Sequence, residues 1–310
     1  MSRHRNLLLF LALAVMWGSA FVAIKAGLDY GFPPVLFAAV RYDVAGLLML
    51  AYAFSVLDDP FPRTRRELAD VAVSAVFIIA GYHALLFVGE GNTTSAAAAV
   101  IVSLSPVLTT AIARAVLPRE RLSVLGVLGL LLGLVGVGLL VRPDPNDLLT
   151  ADVVAKGLVF GAALSFALGS VLNRRIDSGI AIESLEAWSM LAGALLMHGL
   201  SLGLGESAAG LDLTPGLLAS VAYLSLVASA LGFLVYFRLL DRLGPIEINL
   251  VSYVAPIVAA VVGFALLGEV IDAATAGGFL VIVAGFVLIK WEAIRTEVRS
   301  LRTRGVPGDD

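Results

Sequence analysis

The chain is predicted to be an all-α polytopic membrane protein. Ten transmembrane helices form two inverted five-helix repeats, with the N- and C-termini cytoplasmic. Three observations predict this class. Of 310 residues, 59% are apolar and 15% are charged, with a mean hydropathy of +0.97, whereas a soluble domain carries about 25% charged residues. Apolar runs long enough to cross roughly 30 Å of hydrocarbon as helix recur from end to end. The sequence also repeats itself. Leu104-Ser105-Pro106-Val107 is matched by Val254-Ala255-Pro256-Ile257, Leu117…Glu120 by Leu267…Glu269, and Gly129/Gly136 by Gly278/Gly285. The offset is 150 at the prolines and 149 from the glutamates onward, a slip of one loop residue.

The spans follow in order. The first, 7–28, comes after Arg3 and Arg5 but is too long for a signal peptide and lacks a small-residue cleavage site. Gly31-Phe32-Pro33-Pro34 separates it from 33–57, which Asp58-Asp59-Pro60 closes. Spans 68–90 and 94–116 follow, the latter ended by Leu117-Pro118-Arg119, and 122–141 runs into Arg142-Pro143-Asp144-Pro145. The second half holds 153–173, 184–204, 214–238 opened by Thr214-Pro215, 246–267 opened by Gly244-Pro245, and 273–291. The predicted units are a first repeat, 1–146, an inverted second repeat, 147–291, and a cytoplasmic polar tail, 292–310. In the tail, Arg295, Arg299 and Arg302 have the spacing of a short amphipathic surface helix.

Charge sets the orientation. With the N-terminus inside, the inner segments hold 16 of the 21 basic residues, while Asp29, Glu90, Asp144, Asp147, Asp152, Glu206, Asp212, Glu269 and Asp272 fall outside. Five helices per half is an odd number, so the second half enters the membrane upside down. Inverted repeats of this kind allow alternating access, because the halves can exchange conformations.

Several chemistries are excluded. The absence of cysteine removes disulfides and thiol catalysis, and three scattered histidines (His4, His83, His198) make no metal centre. No cofactor is expected. The net charge of −3 offers no nucleic-acid surface. The glycines of the 126–133 stretch are preceded by no strand and followed by no P-loop lysine, and no nucleophile–base pair stands out, so the chain does not read as an enzyme.

Trp17-Gly18-Ser19-Ala20-Phe21, Pro34…Arg41-Tyr42 and Ser103-Leu104-Ser105-Pro106 resemble the EamA-type family of the drug/metabolite transporter superfamily. So do Tyr236-Phe237-Arg238, Leu243-Gly244-Pro245, Ala255-Pro256 and Leu267-Gly268-Glu269 in the second half. The resemblance implies ten helices as two inverted repeats, a central cavity, and transport of small metabolites, often as export from the cell. The halves differ where polar chemistry sits: Arg41 aligns with Met190, so that arginine has no partner in the repeat.

The candidate residues follow from depth. Trp17 lies near the middle of its span, away from the interfacial belt, where it either packs or lines a cavity, and Gly18 with Ser19 permits close approach of another helix. Arg41 sits near mid-bilayer, where a charge costs at least about 2.5 kcal/mol; it either ties backbone carbonyls or recognises a carboxylate with its planar fork of donors. Asp43 projects roughly 200° around the helix from Arg41 and is the candidate proton-coupled carboxylate. His83 could couple protons or contact substrate. Pro106 and Pro256 each remove a helical hydrogen bond, marking hinges or cavity walls, with Ser103, Ser105, Asn249, Ser252 and Tyr253 beside them. The substrate-binding set is therefore Trp17, Ser19, Arg41, His83, Ser103, Asn249 and Tyr253, with Asp43 and His83 for coupling. The expected function is secondary active export of a small metabolite, such as an amino acid or related anion-bearing solute, across the plasma (inner) membrane. Its partners are that solute, protons as coupling ion, and the lipid bilayer; the sequence names no oligomeric state. A flippase for a lipid-linked head group is the alternative within transport. A membrane-embedded enzyme or structural subunit is the alternative outside it.

Overall fold

The structure is a computed structural model that describes residues 3–116, 124–142, 149–243, 248, 250–289 and 291. Among these, every regular element is helical. In chain order they are α1 (Arg3–Asp29), α2 (Pro34–Val56), α3 (Arg65–Glu90), α4 (Ser95–Val102) and α5 (Ser105–Val116), then α6 (Val124–Val141), α7 (Ala151–Ile176) and α8 (Ile182–Gly203). The chain ends with α9 (Pro215–Ala222, continued through Tyr223–Leu231 and Gly232–Leu243), α10 (Val251–Leu267) and α11 (Ala273–Ile289). Eight helical stretches are long and apolar enough to cross a membrane, α4 and α5 counting as one, and α10 and α11 are shorter apolar helices. The described helices fall where the sequence places its spans. Leu117…Glu120, Gly244-Pro245, Asn249 and the 292–310 tail lie outside the described residues.

Local chemistry sets the helix starts. Pro34 at the first turn of α2 has no N–H to orphan. The next two donors, Val35 N and Leu36 N, are taken by the Glu206 carboxylate at 3.1 and 2.8 Å. Thr64 and Glu67 close a capping box on α3, and Thr150 and Thr214 cap α7 and α9. At α4, Thr94 accepts from Ala97 N, while Glu269, from the far half of the chain, accepts from Ser95 N at 3.0 Å. An acid at a helix N-terminus also meets the positive end of the helix dipole, which contributes about 0.3–2 kcal/mol according to burial.

Two features went unforeseen. First, α3 and α9 each contain a π-helical stretch, Ser74–Gly81 and Tyr223–Leu231, whose starts are 149 residues apart. The wider i→i+5 winding loosens the backbone ladder and favours functional positions. Second, Pro106 and Pro256 behave differently. At Pro106 the helix breaks: α4 ends at Val102, Ser103 and Leu104 form a turn, and Ser105 Oγ donates to the Val102 carbonyl at 2.7 Å. At Pro256 the helix runs on through α10.

Packing follows small residues. α2 lies along α8, α1 along α10, and α6 along α11. A Cβ at Gly136 would sit 2.8 Å from the Gly278 carbonyl, one at Gly278 would sit 2.6 Å from the Gly136 carbonyl, and one at Gly285 would sit 2.5 Å from the Gly129 carbonyl. Gly136 therefore meets Gly278 while Gly129 meets Gly285, so α6 and α11 run antiparallel with backbones touching. Gly18 does the same for α1, since its Cβ would lie 2.6 Å from the Ala255 carbonyl, beside Pro256.

Candidate functional site

Arg41 lies seven residues into α2, about 11 Å along the helix, and is 6% exposed. Its Nε donates to Ser229 Oγ at 2.9 Å, and its guanidinium carbon stands 5.1 Å from the Tyr42 ring centroid. Its two terminal nitrogens donate to no group among the described residues. With one of its five N–H groups engaged among the described residues, its planar fork keeps donors of the kind that suit a carboxylate.

Tyr42 and His83 lie beside it. The Tyr42 hydroxyl lies 2.7 Å from His83 Nε2, and His83 Nδ1 lies 2.9 Å from the Ile79 carbonyl. A carbonyl can only accept, so Nδ1 carries a proton, and in the neutral ring Nε2 accepts from Tyr42. Tyr42 and Tyr82 bracket the imidazole edge-on, each with ring centroids 4.5 Å away. Both ring nitrogens of His83 are thus occupied.

Trp17 bonds to the residue next to Ser229 in α9. Its indole N–H donates to the Ala228 carbonyl at 3.1 Å, and its ring stands 5.4 Å from Tyr236 and 6.0 Å from Phe233. Ser19 neighbours the Tyr223 hydroxyl, which donates to the Met16 carbonyl. The π-helical stretches supply several of these partners. Trp17 and Arg41 bond to Ala228 and Ser229 in one, and His83 bonds to Ile79 in the other.

The remaining candidates are scattered. Ser103 is buried, and its hydroxyl bonds back to the Val100 carbonyl at 2.6 Å, a local tie that leaves no donor for a ligand. Tyr253 packs on Phe286, and its buried hydroxyl has no partner among the described residues. Asp43 turns away from Arg41, as the helical geometry requires. It receives a 2.7 Å hydrogen bond from His198 Nε2 in α8, on a half-exposed outer flank. Its partner lies 155 residues away, so no local pattern announces it. Ser229 and Tyr42 were missed as site residues; a serine in an apolar helix gives no signal until its neighbours are placed.

A polar cavity of about 560 Å³ opens at the end of α3, lined among others by Lys25, Asn92, Thr93, Lys156, Glu269 and Asp272. The Lys25 ammonium donates to the Gly91 carbonyl at 3.0 Å and lies 3.5 Å from Asp29. Hydrogen bonds from the Thr275 side chain and backbone hold the Asp272 carboxyl below the usual carboxylate range. Among the described residues no group of three His, Asp or Glu side chains could hold a metal ion.

A model of the EamA-like transporter family matches the chain twice, over residues 4–142 and 155–291. An uncharacterized inner membrane transporter, YedA, of Escherichia coli K12 is 30% identical over 84% of this chain and 82% of its own length. A protein of Salmonella typhimurium named as a probable amino-acid metabolite efflux pump is 29% identical over 93% of this chain and 95% of its own. The transporter YvbV of Bacillus subtilis is 27% identical over 93% and 92%. A solved crystal structure at 22% identity shares the fold, with a TM-score of 0.65 over 96% of this chain and all of that one.

Proposed function

This chain belongs to the EamA-like transporter family, as a multi-pass protein of the plasma (inner) membrane, and from that premise we propose that it exports a small anion-bearing metabolite, such as an amino acid, by alternating access. The observation that carries the substrate class is Arg41, buried in α2 with two guanidinium nitrogens that donate to no group among the described residues. They are placed for the carboxylate of a solute, which would bind bidentately. Trp17, Tyr42 and His83 would shape the apolar and aromatic walls, with Ser19 at the margin, while Tyr253 stands apart against Phe286.

The architecture supporting this cycle is ten spans in two inverted repeats, 1–146 and 147–291, with both termini and the 292–310 tail inside. It rests on three facts. The family model matches each half, the π-helical stretches keep the 149-residue offset, and the equivalent helices α6 and α11 meet antiparallel. Helices related by an axis along the membrane normal would run parallel, so antiparallel contact favours inversion.

Asp43 and His83, the coupling candidates read from the sequence, already hold hydrogen-bond partners. Taking a proton at His83 Nε2 would reverse the bond from Tyr42, so we assign coupling to neither. The flippase reading draws on one observation, the Asp43–His198 pair on the outer flank between α2 and α8, where a lipid head group could be met. Flux in sealed vesicles containing the purified protein decides between them. Release of radiolabelled L-amino acids supports the exporter, and translocation of a labelled lipid head group with no solute flux would replace it.

A further inference from the structure

Glu90 is the least explained residue of the chain. It ends α3 and was expected in an outer loop, yet it is 0% exposed, and neither carboxyl oxygen has a hydrogen-bond partner among the described residues. An ionised carboxylate stripped of water and left without donors costs several kcal/mol, and such groups stay buried by carrying a proton instead.

Among the described residues its charged neighbours are few. α1 presents Lys25 and Asp29, α2 presents Arg41, and the turn after α10 presents Glu269. α7 packs against Gly89 through Ala155 and Val159, and its own Asp152 and Lys156 pair with each other at 2.7 Å. Lys25, a candidate counter-ion, already donates to Gly91. Glu269, a second acid in the same cluster, is engaged with the α4 N-terminus through Ser95 N and Oγ. The polar cavity lined by Lys25, Thr93 and Glu269 begins within three residues of Glu90. Glu90 is thus buried close in sequence to that mouth, within the electrostatic reach of Arg41 and of Glu269, which clasps Ser95.

We propose that Glu90 is the proton-binding site of the transport cycle, protonated while Glu269 clasps Ser95 and deprotonated to cavity water when the clasp opens. The step is a simple ionisation: the Glu90 O–H bond breaks, the proton passes to water, and the carboxylate is left beside the Lys25 ammonium. Release of Ser95 N by Glu269 would move α4 relative to α10 and admit that water. Because Arg41 also lies within electrostatic reach, a carboxylate bound there alters the field at Glu90, so proton and solute occupancy are linked. The proposal rests on the transporter reading, and its test separates the two.

The first arm needs no substrate. Infrared difference spectra of the purified protein, wild type minus Glu90→Gln, should show the carbonyl stretch of a protonated carboxylic acid near neutral pH; absence of that band overturns the proposal. Glutamine is the neutral isostere of the acid, so Glu90→Gln should melt with the wild type. A clear fall in Tm would mean that the ionised form supports the fold, and would overturn it too. The second arm uses a panel of radiolabelled L-amino acids in vesicles. Glu90→Gln should lose accumulation driven by a pH gradient, down to background, while keeping downhill exchange of the same solute. Retained accumulation, or loss of exchange as well, counts against Glu90. If wild-type protein moves no amino acid, the substrate reading of the preceding section fails, and the infrared band alone decides Glu90.

Discussion

Arg41 was legible because a charge amid apolar helix is costly enough to need a reason. Its partner Ser229, 188 residues away, was not, since only folding brings α9 against α2. Arg41→Ala should remove flux while the protein still inserts, measured as vesicle transport alongside the yield of folded protein in detergent. Loss of folding with loss of flux would make Arg41 a structural tie. Arg41→Lys should recover only part of the flux, because an ammonium cannot reproduce the bidentate fork. Tyr42→Phe leaves His83 Nε2 buried without its donor, a loss of about 1–3 kcal/mol, visible as a fall in Tm. An unchanged Tm would mean that water or another donor takes over. Asp43 illustrates the limit of reading residues singly. Its separation from Arg41 follows from 100° per residue, whereas its bond to His198 requires knowing that α2 and α8 are neighbours.

At the level of helices, hydropathy located the spans because each is a long apolar run, and the caps at Thr64, Thr150 and Thr214 fix where they begin. Hydropathy could not locate the π-helical stretches, since a change of winding leaves composition untouched. Nor could it tell Pro106 from Pro256. The first breaks its helix, with Ser105 binding the freed Val102 carbonyl, and the second is carried through. The glycine contacts make a quantitative contrast possible. Gly136→Val must collide with the Gly278 carbonyl and Ile282, whereas Gly138, two residues on, has nothing within 4 Å of its would-be Cβ. Gly136→Val should lower Tm markedly, by the overpacking cost of about 1–3 kcal/mol or more. Gly138→Val should leave it nearly unchanged, and equal effects would show that α6 and α11 do not meet as described.

For the molecule as a whole, the two halves were readable as a duplication from sequence offset, and the family model matches each of them; arginine placement gave the expectation of inversion, which topology measurements test. The native chain contains no cysteine, so single introduced thiols report topology without background. Tyr30, exposed between α1 and α2, and Arg175, exposed at the end of α7, occupy nearly equivalent places in the two halves. Tyr30→Cys should react with a membrane-impermeant reagent from outside intact cells, and Arg175→Cys only after the membrane is opened. Labelling of both from the same side would contradict inversion. The seam between α6 and α11 bears on how such a chain is assembled. Gly129 meets Gly285 and Gly136 meets Gly278, while by sequence offset Gly129 corresponds to Gly278 and Gly136 to Gly285. Each half thus offers the surface that the other offers back, so the seam is self-complementary. A lone half would fit an upside-down copy of itself, and linking the halves in one polypeptide fixes their ratio at one to one. That equality leaves each half free to differ, as Arg41 in one repeat and Met190 at the offset position in the other do.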